Sequence, residues 1–145
     1  MRAPLSNFIC TLLCLLSFPA LGEIESLHIV SRLDPNAITI SNVDIVFAYD
    51  EETAARIPET KSRWYGNRRN FTRDESNDID HISVFIPQGF DSASPPVPAR
   101  ASQAVRVVVF AEHDAADAKP VEITELTNVL VQIIPFGIAV GEDSD

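Results

Sequence analysis

The chain reads as a mainly β domain, a β-sandwich carrying one helical insertion, and three observations predict this. About six short β-prone runs follow one another at close spacing, divided by Pro, Gly and Asn/Asp turn signals. The hydrophobic period turns helix-like over residues 51–72. The later strands are joined through Pro95-Pro96-Val97-Pro98, where the main rival, a ferredoxin-like α+β fold, would need a second helix.

Taken in order, Leu27–Val30 and Ile38–Ile40 are short β-prone runs separated by Asp34-Pro35-Asn36. Proline presets φ there, while Asp and Asn bond back to nearby backbone. Val43–Tyr49 is the next strand; its consecutive Ile45, Val46 and Phe47 suit burial on both faces. Asp50 caps a brief helical turn through Thr53, Ala54, Ala55 and Ile57, which Pro58 stops. A second helix starts near Thr60, with Trp64, Arg68 and Phe71 at steps of four and three along one face and Gly66 weakening it. Strands resume at His81–Ile86, Val105–Ala111, Val121–Thr124 and Val129–Ile134, the last two joined through residues 125–128. The tail Gly141–Asp145 is expected to fray.

The first 22 residues have the pattern of a secretory signal peptide: Arg2, an apolar run from Phe8 to Phe18, and small residues Ala20 and Gly22 about Leu21. The run falls short of the roughly 20 apolar residues that cross a bilayer, so no transmembrane segment is expected in the mature form. The expected organisation is a signal peptide at 1–22, a sandwich domain at 23–140 with its helical insertion at 51–72, and an acidic tail at 141–145. Cys10 and Cys14 both lie in the leader, so the processed chain has no cysteine and must be held by its apolar core. No lipobox is evident, since Cys10 follows Ile9 and Cys14 follows Leu13; lipid anchoring is not expected, although the position of Cys14 leaves it open. A net charge of −10 repels phosphate backbones, so nucleic acid is a poor partner, and a periplasmic or secreted location is expected.

Nothing in the sequence names a reaction. His28, His81 and His113 show no spacing that would place two imidazoles on one metal, and His113 reads as an incidental surface residue. No serine occupies a GxSxG elbow, and the processed chain has no thiol. Glu51, Glu52, Asp74, Glu75, Asp78 and Asp80 read as solvated carboxylates. The oxygen-rich run from Asp74 to Asp80 lacks the glycine and closing glutamate of a calcium loop. No catalytic residue, metal or cofactor is expected, and the protein is not expected to be an enzyme. A catalytic reading would need His81 or His113 to face a carboxylate in a closed pocket.

Arg63, Arg68 and Arg69 form a basic cluster on an acidic chain. Pairing with Asp74, Glu75 or the acidic helix start is one reading. The other is a docking patch: arginine beside Trp64 and Tyr65 is a mix enriched at interface hot spots, although Trp64 itself reads as core. On the docking reading, Arg68→Glu would leave melting unchanged and weaken partner binding.

The turn "LDPNA" (33–37), the strand "VDIVFAYD" (43–50), the helical insertion, "VFIPQGF" (84–90) and "VRVVVFAEH" (105–113) occur in this order. The sequence in this respect resembles the small periplasmic TssJ (SciN-like) component of bacterial type VI secretion systems, or a related secretion-apparatus subunit. The resemblance implies a transthyretin-like β-sandwich without catalytic activity, an exported assembly or docking subunit whose partner is an envelope protein of the apparatus, such as an inner-membrane component. It also implies contacts through the loop carrying Leu33, Asp34, Pro35 and Asn36, to which the residue mix above adds Arg63, Tyr65, Arg68 and Arg69. That family is normally lipid-anchored, and here the chain departs from it. A soluble periplasmic ligand-binding or enzyme-inhibitor domain is the alternative.

Overall fold

Two four-stranded sheets stack face to face. The structure, a computed structural model, describes residues 23–34, 41–87 and 91–144. Sheet A has the order β4-β1-β7-β8, from β1 (Ser26–Ser31), β4 (Ser92–Ala93), β7 (Asn128–Ile134) and β8 (Gly137–Glu142). Sheet B has the order β3-β2-β5-β6, from β2 (Ser41–Ala48), β3 (Ile79–Ile86), β5 (Arg106–Ala111) and β6 (Val121–Glu122). Strands β1 and β7 run parallel, from Ser26 opposite Asn128 to Ser31 opposite Ile133, and the other pairs are antiparallel.

Between the sheets, Leu27, Ile29, Val129, Val131 and Ile133 of sheet A pack on Val43, Ile45, Phe47, Val84, Ile86, Val107 and Val109 of sheet B. Successive strand residues face opposite ways, so the intervening Val46, Ala48, Val108 and Phe110 form a second apolar floor on the outside of sheet B. Two helices cover it, α1 (Glu51–Arg56) and α2 (Lys61–Arg73). This explains the consecutive apolar residues 45–48 of β2 and 107–111 of β5: both strands are buried on both faces.

Both helix starts follow from the sequence. Asp50 accepts from the Thr53 amide at 2.7 Å and caps α1, and Thr60 accepts from the Arg63 amide at 3.4 Å and caps α2. The free amides of Lys61 and Ser62 are taken by Ala118 and Ala116 of the β5–β6 connection.

Three elements depart from expectation. Residues 137–142, which lie past the last expected strand and reach into the tail expected to fray from Gly141, form β8, which pairs along β7 from Ile134–Gly137 to Val129–Glu142. The Glu142 carboxylate also accepts from the Thr127 and Asn128 amides, which ties the chain down past the start of the expected tail. Ser92 and Ala93 add a short edge strand against β1, and Ala101–Gln103 form one 3-10 turn inside the proline-rich connection. The β-prone run at 38–40, with Pro35, Asn36, Cys10 and Cys14, lies outside the described residues.

Candidate functional site

The strongest polar feature sits where α2 meets sheet B. Asp44, an acid within the otherwise apolar β2, points outward beneath α2 and is fully buried. The Trp64 indole N–H donates to its Oδ2 at 2.8 Å, and Arg68 Nη1 donates to the same oxygen at 2.9 Å. His81 Nε2 lies 3.3 Å from Oδ1, although neither atom has a well-aligned hydrogen bond. Burial alone would raise the Asp44 pKa; contacts with His81, Ser83, Arg68 and Trp64 outweigh it and hold the carboxyl at about 2. The Trp64 ring is itself fully buried, stacked on Phe110 at 5.0 Å and edge-on to Phe71 and His81 at 5.8 and 5.5 Å. Arg68 extends over the Tyr65 ring, 5.4 Å from its centroid, and the Tyr65 hydroxyl donates to the Asn42 and Phe110 carbonyls. His81 thus faces a carboxylate, but that carboxylate is sealed beneath Trp64 and Arg68, with no surface left for a substrate.

A second feature is the end of the sandwich where β1 and β7 finish and β2 begins. The β7–β8 turn consists of Pro135 and Phe136, and Phe136 is 94% exposed. Next to it His113, at the end of β5, joins the two sheets: Nδ1 meets the Ser41 hydroxyl at 2.7 Å, and Nε2 meets the Gly137 carbonyl at 2.7 Å and the Ile134 carbonyl at 3.2 Å. His113 is therefore a tie between layers rather than an incidental surface residue. Gly137 has φ +143°, for which the turn's backbone requires glycine, and a Cβ there would lie 2.7 Å from Asp114 Oδ1 and oblige that carboxylate to shift. The chain leaves β1 at this same end, because Arg32 donates its amide to Ile133 beside the turn. Phe85, 56% exposed, lies opposite Asn42 at the start of β2, also at this end.

Of the residues expected at a partner surface, Leu33 is 5% exposed and joins the inter-sheet core, while Asp34 is exposed. Arg63 and Arg69 are exposed on α2, whereas Arg68 and Tyr65 turn inward as described. None of the three arginines pairs with Asp74 or Glu75; Asp74 accepts instead from the Ser76 amide and hydroxyl at 2.9 and 2.7 Å. In the oxygen-rich run, Asp78 and Asp80 are held by Arg100 at 2.7 and 3.2 Å, and its guanidinium lies 3.7 Å over the Tyr49 ring centroid. Among the described residues no group of three or more His, Cys, Asp or Glu is placed to hold a metal ion, and no helix is long and apolar enough to cross a membrane. A hollow of about 670 Å³ is an open groove between the start of α1 and the β6–β7 connection, lined by Ala54, Val105, Ile123 and Leu126 with Glu51 and Glu125.

Sequence reasoning missed Asp44, Phe136 and the tie made by His113. A lone acid in an apolar strand was a signal for the first; for the others nothing local distinguished them.

Comparison with solved structures places this architecture beside two proteins. It is similar to the type VI secretion lipoprotein TssJ1 from Pseudomonas aeruginosa, with 7% identity, 83% of this chain and 95% of that one covered, and a TM-score of 0.47. It is also similar to Lip from Serratia marcescens, a membrane-bound component of the type VI secretion system, with 12% identity, coverage of 81% and 96%, and a TM-score of 0.45. No protein-family model and no curated protein matches the chain.

Proposed function

We propose that the chain is an exported, non-catalytic docking subunit of a bacterial envelope secretion machine of the type VI kind. The observation that carries the docking role is Phe136. A large aromatic ring held at 94% exposure on a two-residue turn adds nothing to the core, and the turn beneath it is fastened by His113 and by β8. Exposed aromatics anchor protein interfaces, because they bring a large contact area with only two side-chain torsions to fix when they bind. Asp34, exposed where the chain leaves β1, stands at the same end and completes the proposed contact surface with Phe136 and Phe85. The kind of machine comes from the sequence resemblance, carried by the turn at 33–37 and the strands at 43–50, 84–90 and 105–113.

The test is capture from detergent-solubilised envelopes of the native host, with the full chain as bait and Phe136→Asp beside it. The wild type should retain an envelope protein of the apparatus and the variant should lose it, at unchanged melting temperature. Retention of a single soluble enzyme or a small molecule by the wild type, with no envelope protein, would establish the inhibitor or ligand-binding alternative instead.

A further inference from the structure

Helix α2 has the sequence KSRWYGNRRNFTR and contains no carboxylate. Its Lys61, Arg63, Arg68, Arg69 and Arg73 make up five of the eleven Lys and Arg in a chain of net charge −10. Arg68 is spent on Asp44. Arg63, Arg69 and Arg73 are exposed, and no described carboxylate lies within ion-pair distance of them, although Glu59, Asp74, Glu75 and Asp117 stand on the flanking segments. Arg69 and Arg73 are one turn apart on the side of the helix opposite Trp64, and Arg63 lies on the flank of that side. Trp64 and Phe71 fix the helix to the sheet from below, so the three guanidinium groups rise from a rigid support.

From this we infer that the outer face of α2 is a binding surface for an acidic protein segment. Arg69 and Arg73, four residues apart, repel one another, Arg63 adds to the same positive field, and no ion pair among the described residues offsets it. A ligand rich in carboxylates does so through charge-assisted, bidentate contacts. The stripe from Arg63 to Arg73 is about 15 Å long, which about five residues of extended chain would span. The acidic remainder of the surface favours such a narrow ligand over an anionic membrane: a plane of charge meets the whole molecule, whereas a single segment stays within about one Debye length, roughly 8 Å, of the stripe. This inference does not depend on the secretion reading.

The experiment titrates a labelled peptide of alternating glutamate and serine into the full chain at low salt, beside vesicles of phosphatidylglycerol and a peptide of alternating lysine and serine. The wild type should bind the acidic peptide, and the triple variant Arg63→Gln, Arg69→Gln, Arg73→Gln should weaken binding about tenfold or more, as should raised salt. The triple variant should melt with the wild type, because none of the three side chains has a partner to lose, and Phe136→Asp should bind the peptide as the wild type does. Equal binding by wild type and triple variant, no binding by the wild type, or binding to the vesicles in preference to the peptide would each overturn the inference.

Discussion

Trp64 donates its indole N–H to Asp44 over 2.8 Å, and both side chains are wholly removed from solvent. One end of this pair is the anchor of helix α2 and the other is the acid of a central strand, so helix and sheet are joined by a directed bond as well as by apolar contact. Removing the ring takes away both. Trp64→Ala should lose about 3–5 kcal/mol, measured by urea unfolding. Trp64→Phe, which keeps the stacking on Phe110 but not the donor, should lose about 1–3 kcal/mol. Near-wild-type unfolding of the alanine variant would show that the helix is held by something else.

Arg68 and Arg69 are neighbours in sequence with opposite roles. Arg68→Glu sets a second carboxylate against the buried Asp44 and should destabilise the fold by on the order of 3 kcal/mol, contrary to the unchanged melting expected when Arg68 is read as a docking residue. Arg69→Glu should fall within about 0.5 kcal/mol of the wild type. Paired thermal melts decide the matter, and equal effects from the two variants would remove Arg68 from the Asp44 site.

Asp44 also sets an acid limb of stability. Its folded pKa of about 2 lies below the ordinary 3.8, so the folded state favours the ionised form. That contribution is complete above pH 3.8 and is lost as the pH falls through about 2. The depression is worth on the order of 2 kcal/mol. Asp44→Asn should therefore be less stable than the wild type near neutrality by about that amount, with the difference closing at the acid end. Unfolding midpoints of both proteins across this range test it. Asp50 and Asp74 are also depressed, chiefly by hydrogen bonds from Thr53 and Ser76 respectively, but they are common to both proteins and cancel. A gap that stays constant with pH would mean that Asp44 is not the source.

Gly137→Ala should cost about 1–3 kcal/mol, because its φ of +143° is strained for any residue with a Cβ. Adding Asp114→Ala removes the steric contact at 2.7 Å and should recover only part of the loss, since the backbone strain remains. Full recovery in the double variant would assign the whole effect to the clash.

Much of the frame was legible from residues alone. The consecutive Ile45, Val46 and Phe47 announced a strand covered on both sides, and Asp50, Pro58 and Thr60 marked where the helices begin and end. Trp64 and Phe71 were legible as the buried face of α2 because helical spacing reports which residues share a side. Spacing does not report what that side meets. Asp44 and Trp64 are 20 residues apart, and Arg68 was indistinguishable in sequence from the exposed arginines beside it. Strand β8 was hidden for a related reason: Gly137–Glu142 contains two glycines and little β propensity, and it becomes a strand by pairing with β7 across a two-residue turn.

The sequence by itself determined the class of the fold, the positions of both helices and of most strands, and the acidic character of the chain, because these depend on local period, turn chemistry and composition. Tertiary structure alone decided that β1 lies parallel to β7 about a hundred residues away, that Asp44 collects Trp64, Arg68 and His81, that His113 ties the two sheets, and that Phe136 stands in solvent. Each of these is a contact between distant segments, whose energy depends on where the backbone has carried both partners; a residue's neighbours in the chain hold no record of it.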